Sequence, residues 1–284
     1  MSSPIYQLQL GQRRLSFEVP RVMGVVNCTP DSFFAGSRAK SAEEAVAHGI
    51  HMLEAGADIL DIGGQSSRPG ATEIGPDEEW KRIEGAIKGI LDRRPEALLS
   101  VDTFHHEVAA RALAEGAFMI NDIYAGLRDS QMMQVMQASG APYAIMHMQG
   151  TPLTMQEHPA YHNITLEVLE WFKLRLSALT ESGINQVMLD VGFGFGKTLQ
   201  HNFQLLNDLE DFAQLQAPLL VGVSRKSMVY KSLGITPENA LNGTTALHAW
   251  ALDRGAHMIR VHDVLEAREV LLLHQALNER PFGN

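Results

Sequence analysis

Residues 54–64, EAGADILDIGG, contain a transition that recurs along the chain: an amphipathic stretch ends at a glycine, a short apolar run follows, and a polar residue comes next. The same transition occurs in AEGAFMINDI (114–123), ESGINQVMLDVG (181–192) and DRGAHMIRVHD (253–263). Glycine at this position is typical of a helix that ends in the left-handed conformation. The apolar runs are typical of strands buried on both faces of a parallel sheet. These segments therefore predict four helix-to-strand junctions.

Eight apolar runs of this kind occur in all: RVMGVVN (21–27), DILDIGG (58–64), LLSVDT (98–103), FMINDI (118–123), PYAIMHM (142–148), QVMLDVG (186–192), PLLVGVS (218–224) and HMIRVHD (257–263). Helix start signals lie between the runs, among them the capping boxes Ser41-x-x-Glu44 and Asp263-x-x-Glu266 and the pair Thr236-Pro237. Eight alternations without a linker predict an α/β fold, a (β/α)₈ TIM barrel. We expect a single domain over residues 1–284 that opens with a short N-terminal β-hairpin turning at Gly11. A doubly wound sheet is the alternative.

Composition and charge narrow the classes of function. The 284 residues carry a formal net charge of −10 and one cysteine, Cys28. A lone cysteine excludes an internal disulfide and fits a reducing compartment, so we expect a cytoplasmic protein. No stretch approaches the ~20 apolar residues of a membrane span. The negative charge disfavours nucleic acid as a partner, so an anionic substrate would need a local group of cations.

A barrel places its functional residues at the carboxyl ends of its strands, on one face. In this sequence polar residues follow or end the apolar runs, and we expect them to meet at one rim. They are Asn27, Asp61, Asp102, Asn121, His147, Asp190, Ser224 to Ser227, Arg260 and His262.

Two loops near the amino terminus suit anions and a metal. NCTPDSFFAGSR (27–38) begins with Asn27, whose neutral oxygen suits a magnesium ion that keeps most of its waters beside a diphosphate. GGQSSRPGA (63–71) combines glycines, two hydroxyls and Arg68, which can form a cradle for phosphate or carboxylate. A simple turn is the alternative for both loops.

The strand ends divide into acids and cations. Asp102, Asn121 and Asp190 match the ring N–H and amino donors of a heterocycle, although helix capping is an alternative for Asp102. The cations Arg225, Lys226 and Arg260, with His262, follow the seventh and eighth runs, where barrels often bind phosphate. We expect them to be the local positive group that an anionic substrate requires.

The segment VGFGFGKT (191–198) ends like a phosphate-binding Walker A loop, but Val191 stands where that loop needs its first glycine. We therefore expect the glycines to let the backbone approach a flat ligand, with Phe193 and Phe195 as apolar walls. The spacing of the remaining histidines does not predict a zinc site.

Taken in order, NCTPDSF, GGQSSRPGA, VDT, NDI, MHMQGTP, GFGFGKT, SRKS and RVHD resemble the signature series of the dihydropteroate synthase family, from about Met23 to Val264. The resemblance implies a transferase that joins 6-hydroxymethyl-7,8-dihydropterin diphosphate to p-aminobenzoate in folate synthesis. It also implies a cytoplasmic homodimer, sensitivity of the family to sulfonamides, and Mg²⁺ as cofactor. The small-molecule substrates would be the binding partners.

The resemblance assigns roles by position. It implies that Asn27 contacts magnesium through the substrate diphosphate, and that Arg68, Lys226, Arg260 and His262 are the catalytic residues. The pterin ring would contact Asp102, Asn121, Met146, Asp190 and Lys226. The diphosphate would contact Ser67, Arg68, Arg260 and His262, and p-aminobenzoate would contact Pro69, Phe195 and Ser227.

Three positions depart from the usual pattern of the family. Ala35 stands where a loop aspartate is frequent, Gln65 replaces a glutamate, and Ser67 replaces a threonine. Two alternatives therefore stay open: a methyltetrahydrofolate-dependent methyltransferase of the same fold, and a non-catalytic pterin-binding protein.

Overall fold

A computed structural model describes residues 6–29, 42–65, 72–152, 154, 155, 157 and 159–278. An antiparallel hairpin of β1 (Gln7–Leu10) and β2 (Arg13–Ser16) turns at Gly11 and precedes the main sheet. The remaining strands close into one parallel barrel in the order β10-β3-β4-β5-β6-β7-β8-β9. They are β3 (Arg21–Asn27), β4 (Ile59–Gly63), β5 (Leu99–Asp102), β6 (Met119–Asp122), β7 (Tyr143–Met146), β8 (Val187–Asp190), β9 (Leu219–Val221) and β10 (Met258–Val261). The predicted (β/α)₈ barrel with an N-terminal hairpin is confirmed, and the doubly wound alternative is wrong.

Helices separate the strands and cover the outside of the barrel. They are α1 (Ala42–Glu54), α2 (Pro76–Arg93), α3 (His106–Ala114), α4 (Met132–Ser139), α5 (Ile164–Glu181), α6 (Leu199–Asn207), α7 (Ser227–Leu233), α8 (Leu241–Asp253) and α9 (Val264–Asn278). Short 3₁₀ turns at Leu209–Leu215 and Pro237–Asn239 complete the connections. Within the described residues, no helix has the length and apolar character needed to cross a membrane.

The four quoted junctions precede β4, β6, β8 and β10, which are alternate strands of the barrel. Their glycines, Gly56, Gly116, Gly183 and Gly255, all have positive φ, between 77° and 107°. A side chain at such a position would be strained, so glycine ends each helix and lets the chain turn into the next strand.

The helix start signals were partly correct. A 3₁₀ turn begins at Pro237, but the Thr236 side chain does not cap it, and α8 begins only at Leu241. Helix α9 begins after Asp263 as predicted, but both oxygens of the Asp263 carboxylate accept hydrogen bonds from Arg225. Ser41 lies outside the described residues.

The hairpin closes the amino-terminal end of the barrel. Its side chains Leu8 and Leu15 are buried in a cluster that includes Met23, Ile59 and Met258 from the barrel interior. The Gln186 amide ties the hairpin to the wall, since it accepts a hydrogen bond from the Gln9 N–H at 2.7 Å and donates one to the Gln9 carbonyl at 2.8 Å. Among the described residues, the hairpin thus fills the amino-terminal end of the barrel.

Candidate functional site

The strand register brings the predicted acids to one level of the barrel mouth. Asp102 at the end of β5 pairs with Gly63 of β4 on one side and with Asn121 of β6 on the other. Met146 of β7 pairs with Asp190 of β8 in the same way. Four of the five predicted pterin-contacting residues, all but Lys226, therefore lie at the carboxyl ends of four consecutive strands, β5 to β8.

Arg260 of β10 lies between two carboxylates. Its Nε donates to Asp61 Oδ2 at 2.6 Å, and its Nη2 donates to Asp102 Oδ2 at 3.0 Å. The Asn121 amide also donates to Asp61 Oδ2, at 3.0 Å. This network spans the mouth from β10 to β6 and fixes the plane of the guanidinium. Asp61 was placed at the rim by the sequence but was not among the predicted binding residues.

Asp102 and Asp190 are both largely buried, so their pKa values depend on the charged groups nearby. Burial and the nearby Asp61 carboxylate raise the pKa of Asp102, while Arg260 opposes that rise. Burial also raises the pKa of Asp190, and Lys226 opposes it. A ligand that donates N–H groups to these carboxylates would compensate their lost hydration. The capping alternative for Asp102 is wrong, since its carboxylate binds Arg260 and α3 has no side-chain cap.

Lys226 lies at the start of α7, after β9, the strand between those that end in Asp190 and contain Arg260. Its ammonium donates to the Phe193 carbonyl at 2.7 Å and lies 5.0 Å from the centre of the Phe195 ring. Burial lowers the pKa of Lys226 to about 8, and Asp190 opposes this shift. Ser227, the next residue, is the first of α7. Lys226, with Ser227 next to it, thus lies beside the Phe195 ring and the buried Asp190 carboxylate.

His262 is held by Ser224. The Ser224 hydroxyl accepts a hydrogen bond from the His262 backbone N–H at 3.2 Å and lies 3.0 Å from its ring Nδ1. When the Ser224 hydroxyl donates to Nδ1, the ring proton is on Nε2. Burial, together with Arg260, lowers the pKa of His262 to about 4, so the ring is neutral at pH 7. It can donate a hydrogen bond to an anion but adds no charge there.

Arg225 differs from the expectation that it belongs to the cationic group. Its guanidinium binds Asp263 through two hydrogen bonds of 2.8 Å and also donates to the carbonyls of Pro237 and Glu238. Its φ is +53°, which turns the side chain away from its neighbour Lys226 in the sequence. Arg225 therefore fastens the loop before α8, and its charge helps to lower the pKa of His262.

The apolar wall also differs in part from the expectation. Phe193 is completely buried in the main core, so it does not line the mouth. Phe195 is partly buried against a small cluster of Phe104, Ile123 and Met146 at the carboxyl end of the barrel. Met146 and Phe195 thus pack together at the carboxyl end of the barrel, with Phe195 the more exposed of the two.

Gly192 and Gly196 of the 191–198 segment serve a different purpose from the predicted one, whereas a Cβ on Gly194 would only touch the Lys226 side chain. A Cβ on Gly192 would collide with the carbonyl oxygen of His147, and a Cβ on Gly196 would collide with that of Gln149. Both glycines have positive φ. They allow two loops of the protein to approach each other, whereas a ligand was expected to be what approaches them.

The predicted residues of the two amino-terminal loops are only partly described. Ser67, Arg68 and Pro69, together with Ala35 of the first loop, lie outside the described residues. Gln65 is described: its side-chain oxygen accepts from the Ile74 N–H at 3.0 Å, and its amide donates to the Thr72 carbonyl at 3.3 Å. The second contact needs an N–H donor, so the glutamate usual in the family could not make it while ionised.

Asn27 ends β3, directly opposite Gly63 at the same rim. Its side chain offers one neutral oxygen, which fits a magnesium ion that takes its other ligands from water and a diphosphate. A separate group, His106, Glu107 and Asp129, brings possible metal ligands within 4.8 Å of one another. Asp129 accepts the backbone N–H groups of His106 and Gln131 and lies 2.7 Å from His106 Nδ1, so contacts within the chain account for this group.

The chain is similar to known proteins over nearly its whole length. The family described as pterin binding enzyme matches residues 23–262. The chain is 42% identical over 264 residues to dihydropteroate synthase of Escherichia coli (strain K12), covering 92% of this chain and 93% of the relative. The Yersinia pestis dihydropteroate synthase, solved in a sulfonamide drug complex, superposes with a TM-score of 0.92 at 38% identity, covering 96% and 99% of the two chains.

The Xanthomonas albilineans dihydropteroate synthase, solved in complex with 7,8-dihydropteroate, superposes with a TM-score of 0.86 at 37% identity, covering 97% of this chain and 100% of that one. Relatives and solved structures of this similarity, spread over nearly the whole length of both chains, identify the family. The chain belongs to the dihydropteroate synthases, within the family of pterin-binding enzymes.

Proposed function

We propose that this chain condenses 6-hydroxymethyl-7,8-dihydropterin diphosphate with p-aminobenzoate, giving 7,8-dihydropteroate and diphosphate in folate biosynthesis. The observation that carries the proposal is the Arg260 guanidinium, held by Asp61 and Asp102 at the mouth of the barrel. This reaction needs acids that can hold a heterocycle and a cation fixed beside them. The acids bind the ring, and the cation faces the group that leaves.

The pterin ring binds through complementary hydrogen bonds. Asp102 and Asp190 accept from the ring N–H and amino groups, and Asn121 and Lys226 supply donors. Met146 packs beside the ring. A buried site of this kind rejects ligands that lack these donors, because its polar groups would be left without partners.

Bond cleavage places negative charge on the diphosphate. The C–O bond between the pterin methylene and the diphosphate breaks first, and its electron pair leaves with the diphosphate. Arg260, Arg68 and the Nε2–H of His262 stabilise that departing charge. The carboxylates of Asp102 and Asp190 stabilise the pterin-methyl cation that remains.

The aromatic amine then forms the new bond. Its nitrogen attacks the methylene carbon and releases one proton to the departing diphosphate. Phe195, Pro69 and Ser227 position the amine, and Ser67 contributes a hydroxyl to the diphosphate. Holding the amine in line with the carbon lowers the barrier by several kcal/mol, since it replaces a bimolecular encounter.

We propose Mg²⁺ as the cofactor, with Asn27 as its protein ligand beside the substrate diphosphate. When bound, the ion supplies positive charge to the leaving group. The neutral amide of Asn27 suits this role, since it adds no negative charge to a site that already has to bind an anion.

We further propose a cytoplasmic homodimer. Exposed apolar side chains concentrate on the last two helices, where Trp250 of α8 and Leu272, Leu273 and Leu277 of α9 are each more than half exposed. A second copy of the chain would remove these side chains from water. Sedimentation of the wild type and of Leu273→Glu tests this: a monomeric wild type contradicts the proposal.

The function is tested by incubating the purified protein with both substrates and measuring dihydropteroate and released diphosphate, with and without Mg²⁺. Formation of both products in equal amounts, dependent on the metal, is the expected result. Binding of the pterin without turnover would indicate the non-catalytic alternative, and methyl transfer from methyltetrahydrofolate to a corrinoid would indicate the methyltransferase.

A further inference from the structure

The lysine of the GFGFGKT segment has no role in the function described so far. Lys197 is almost completely buried, with 3% of its surface exposed. Its Nζ lies 3.0 Å from the Phe195 carbonyl, 3.1 Å from the His147 carbonyl and 3.1 Å from His147 Nδ1. A buried amine that contacts three neutral acceptors is costly to retain, so its position needs a reason.

These contacts join two loops at the barrel mouth. His147 follows β7, and Phe195 belongs to the loop that follows β8. The two loops touch through the backbone at Gly192 and Gly196, where any side chain would collide with the facing carbonyls. Lys197 bridges this contact with hydrogen bonds to both sides. Without Lys197, the buried carbonyls of His147 and Phe195 would each lose one hydrogen-bond donor.

The loop after β8 is held by two lysines. Lys197 binds the Phe195 carbonyl, and Lys226 binds the Phe193 carbonyl two residues earlier. The Phe195 ring between these contacts lies over the Lys226 ammonium. A shift of the loop would therefore move both the ring that faces the aromatic amine and the acceptor that orients Lys226.

We propose that Lys197 is a positioning residue, which fixes the loop after β8 against His147 so that Phe195 presents its ring to the aromatic amine substrate. This inference rests on the proposed function. Lys197 touches no substrate in this arrangement, and it acts through Phe195 and Lys226. The defect expected on its removal is therefore in the binding of the amine more than in that of the pterin.

The contacts of Lys197 do not require its charge. Burial lowers the pKa of Lys197 to about 7, with Asp190 raising it and Lys226 lowering it further. Burial and Lys197 lower the pKa of His147 to about 3, so the imidazole is neutral. A charged Lys197 donates to Nδ1, and a neutral one accepts from an Nδ1–H, so both forms keep all three contacts. An uncharged side chain that donates to both carbonyls should thus replace much of its effect.

The test compares three variants with the wild type. Lys197→Met keeps an unbranched side chain that lacks only the terminal nitrogen position, and it removes every donor. We expect it to raise the KM for p-aminobenzoate about tenfold, the scale of a displaced substrate contact. The KM for the pterin diphosphate should change less than about threefold. A general loss of folded structure would not raise the KM for one substrate and spare that for the other. Lys197→Gln restores two N–H donors, and we expect its KM for the amine to lie within about threefold of wild type.

Thr165→Val is the matched control. Thr165 is also buried, and its hydroxyl donates to Asp208 at 2.7 Å, between α5 and the following 3₁₀ turn. Its loss should lower stability without changing either KM. If Lys197→Met does not fold, as judged by circular dichroism, Lys197→Ser takes its place, since serine is too short to bridge the loops.

The outcomes separate this inference from the proposed function. Product formation by the wild type decides the function, and calorimetric binding of p-aminobenzoate, with a non-reactive pterin and diphosphate present, measures the amine site without turnover. The inference is overturned if Lys197→Met keeps a wild-type KM and affinity for the amine. It is equally overturned if Lys197→Gln is no better than Lys197→Met, or if Thr165→Val raises the amine KM to the same extent.

Discussion

Replacing Arg260 with lysine tests the geometry of the site while keeping its charge. The guanidinium reaches Asp61 through Nε and Asp102 through Nη2, at 2.6 Å and 3.0 Å, which leaves Nη1 for an oxygen of the diphosphate. A lysine ammonium is a single point on a flexible stem and does not reproduce this planar fork. It can contact one carboxylate well, at the expense of the other or of the substrate.

The magnitude follows from the hydrogen bonds that the substitution removes. A hydrogen bond between charged groups is worth about 1.5–3 kcal/mol, and about 1.4 kcal/mol corresponds to a factor of ten. Loss of one such bond in the transition state should lower kcat/KM by roughly 10- to 100-fold. Because Asp61 is completely buried, weakening its pair should also lower the free energy of unfolding, by about 1–3 kcal/mol.

Arg21→Lys is the matched control. Arg21 binds Asp58 at 3.0 Å, its side chain is 24% exposed against 23% for Arg260, and Asp58 precedes the same strand that contains Asp61. This pair lies at the closed, amino-terminal end of the barrel. The Arg21 variant should lose stability but keep kcat/KM.

The assay is steady-state kinetics with the pterin diphosphate varied at saturating p-aminobenzoate, together with urea unfolding followed by circular dichroism. A folded Arg260→Lys variant with kcat/KM within twofold of wild type would refute the assigned role of the guanidinium. An equal loss of kcat/KM in the Arg21→Lys variant would also refute that role, because lower stability alone would then explain the loss of activity.

Two other predictions concern the same end of the barrel. Lys226→Ala and Arg260→Ala should each lower kcat/KM at least about tenfold, because each removes hydrogen bonds to bound or departing groups. Near-normal kinetics in both variants, with the fold intact, would contradict the site assignment. Glu79 is completely buried beside Thr103, and burial raises its pKa to about 8. Its pKa is higher in the folded chain, so the wild type loses stability as the pH rises from about 4.5 through 8, by at most ~1.4 kcal/mol per unit. The side chain of the Glu79→Gln variant does not titrate, so its free energy of unfolding should rise relative to that of wild type between pH 6 and 8.5. If urea unfolding shows the same difference between the two proteins at every pH, this explanation is excluded.

The architecture was predictable because its signals are local. A glycine that ends a helix and the apolar run after it lie within about ten residues, so four copies of the transition indicate alternating helices and strands without any knowledge of contacts. The carboxyl ends of parallel strands share one edge, so Asp102, Asn121, Asp190 and Arg260 could be placed at a common mouth. Their register in the barrel agrees with that placement.

The partners of individual cations were not predictable in the same way. Arg225 and Arg260 look alike in the sequence, since each accompanies an apolar run near the carboxyl terminus. Arg260 lies within β10, where strand geometry directs it to the barrel interior, and it meets Asp61 from 199 residues earlier. Arg225 lies after β9 with a left-handed backbone and meets Asp263 outside the site. The deciding quantity is the direction of the side chain, which depends on where the strand ends.

The glycines of the 191–198 segment also have a distant partner that the local sequence does not identify. Their sequence correctly indicates that something approaches the backbone closely, because only glycine tolerates such contact at positive φ. What approaches is the loop that contains His147, about 50 residues away, and no local pattern identifies it. Once that approach is known, the burial of Lys197 follows, since the facing carbonyls are buried by it and need a donor. The lysine that made the segment look like a phosphate-binding loop is thus explained by the contact that the glycines permit.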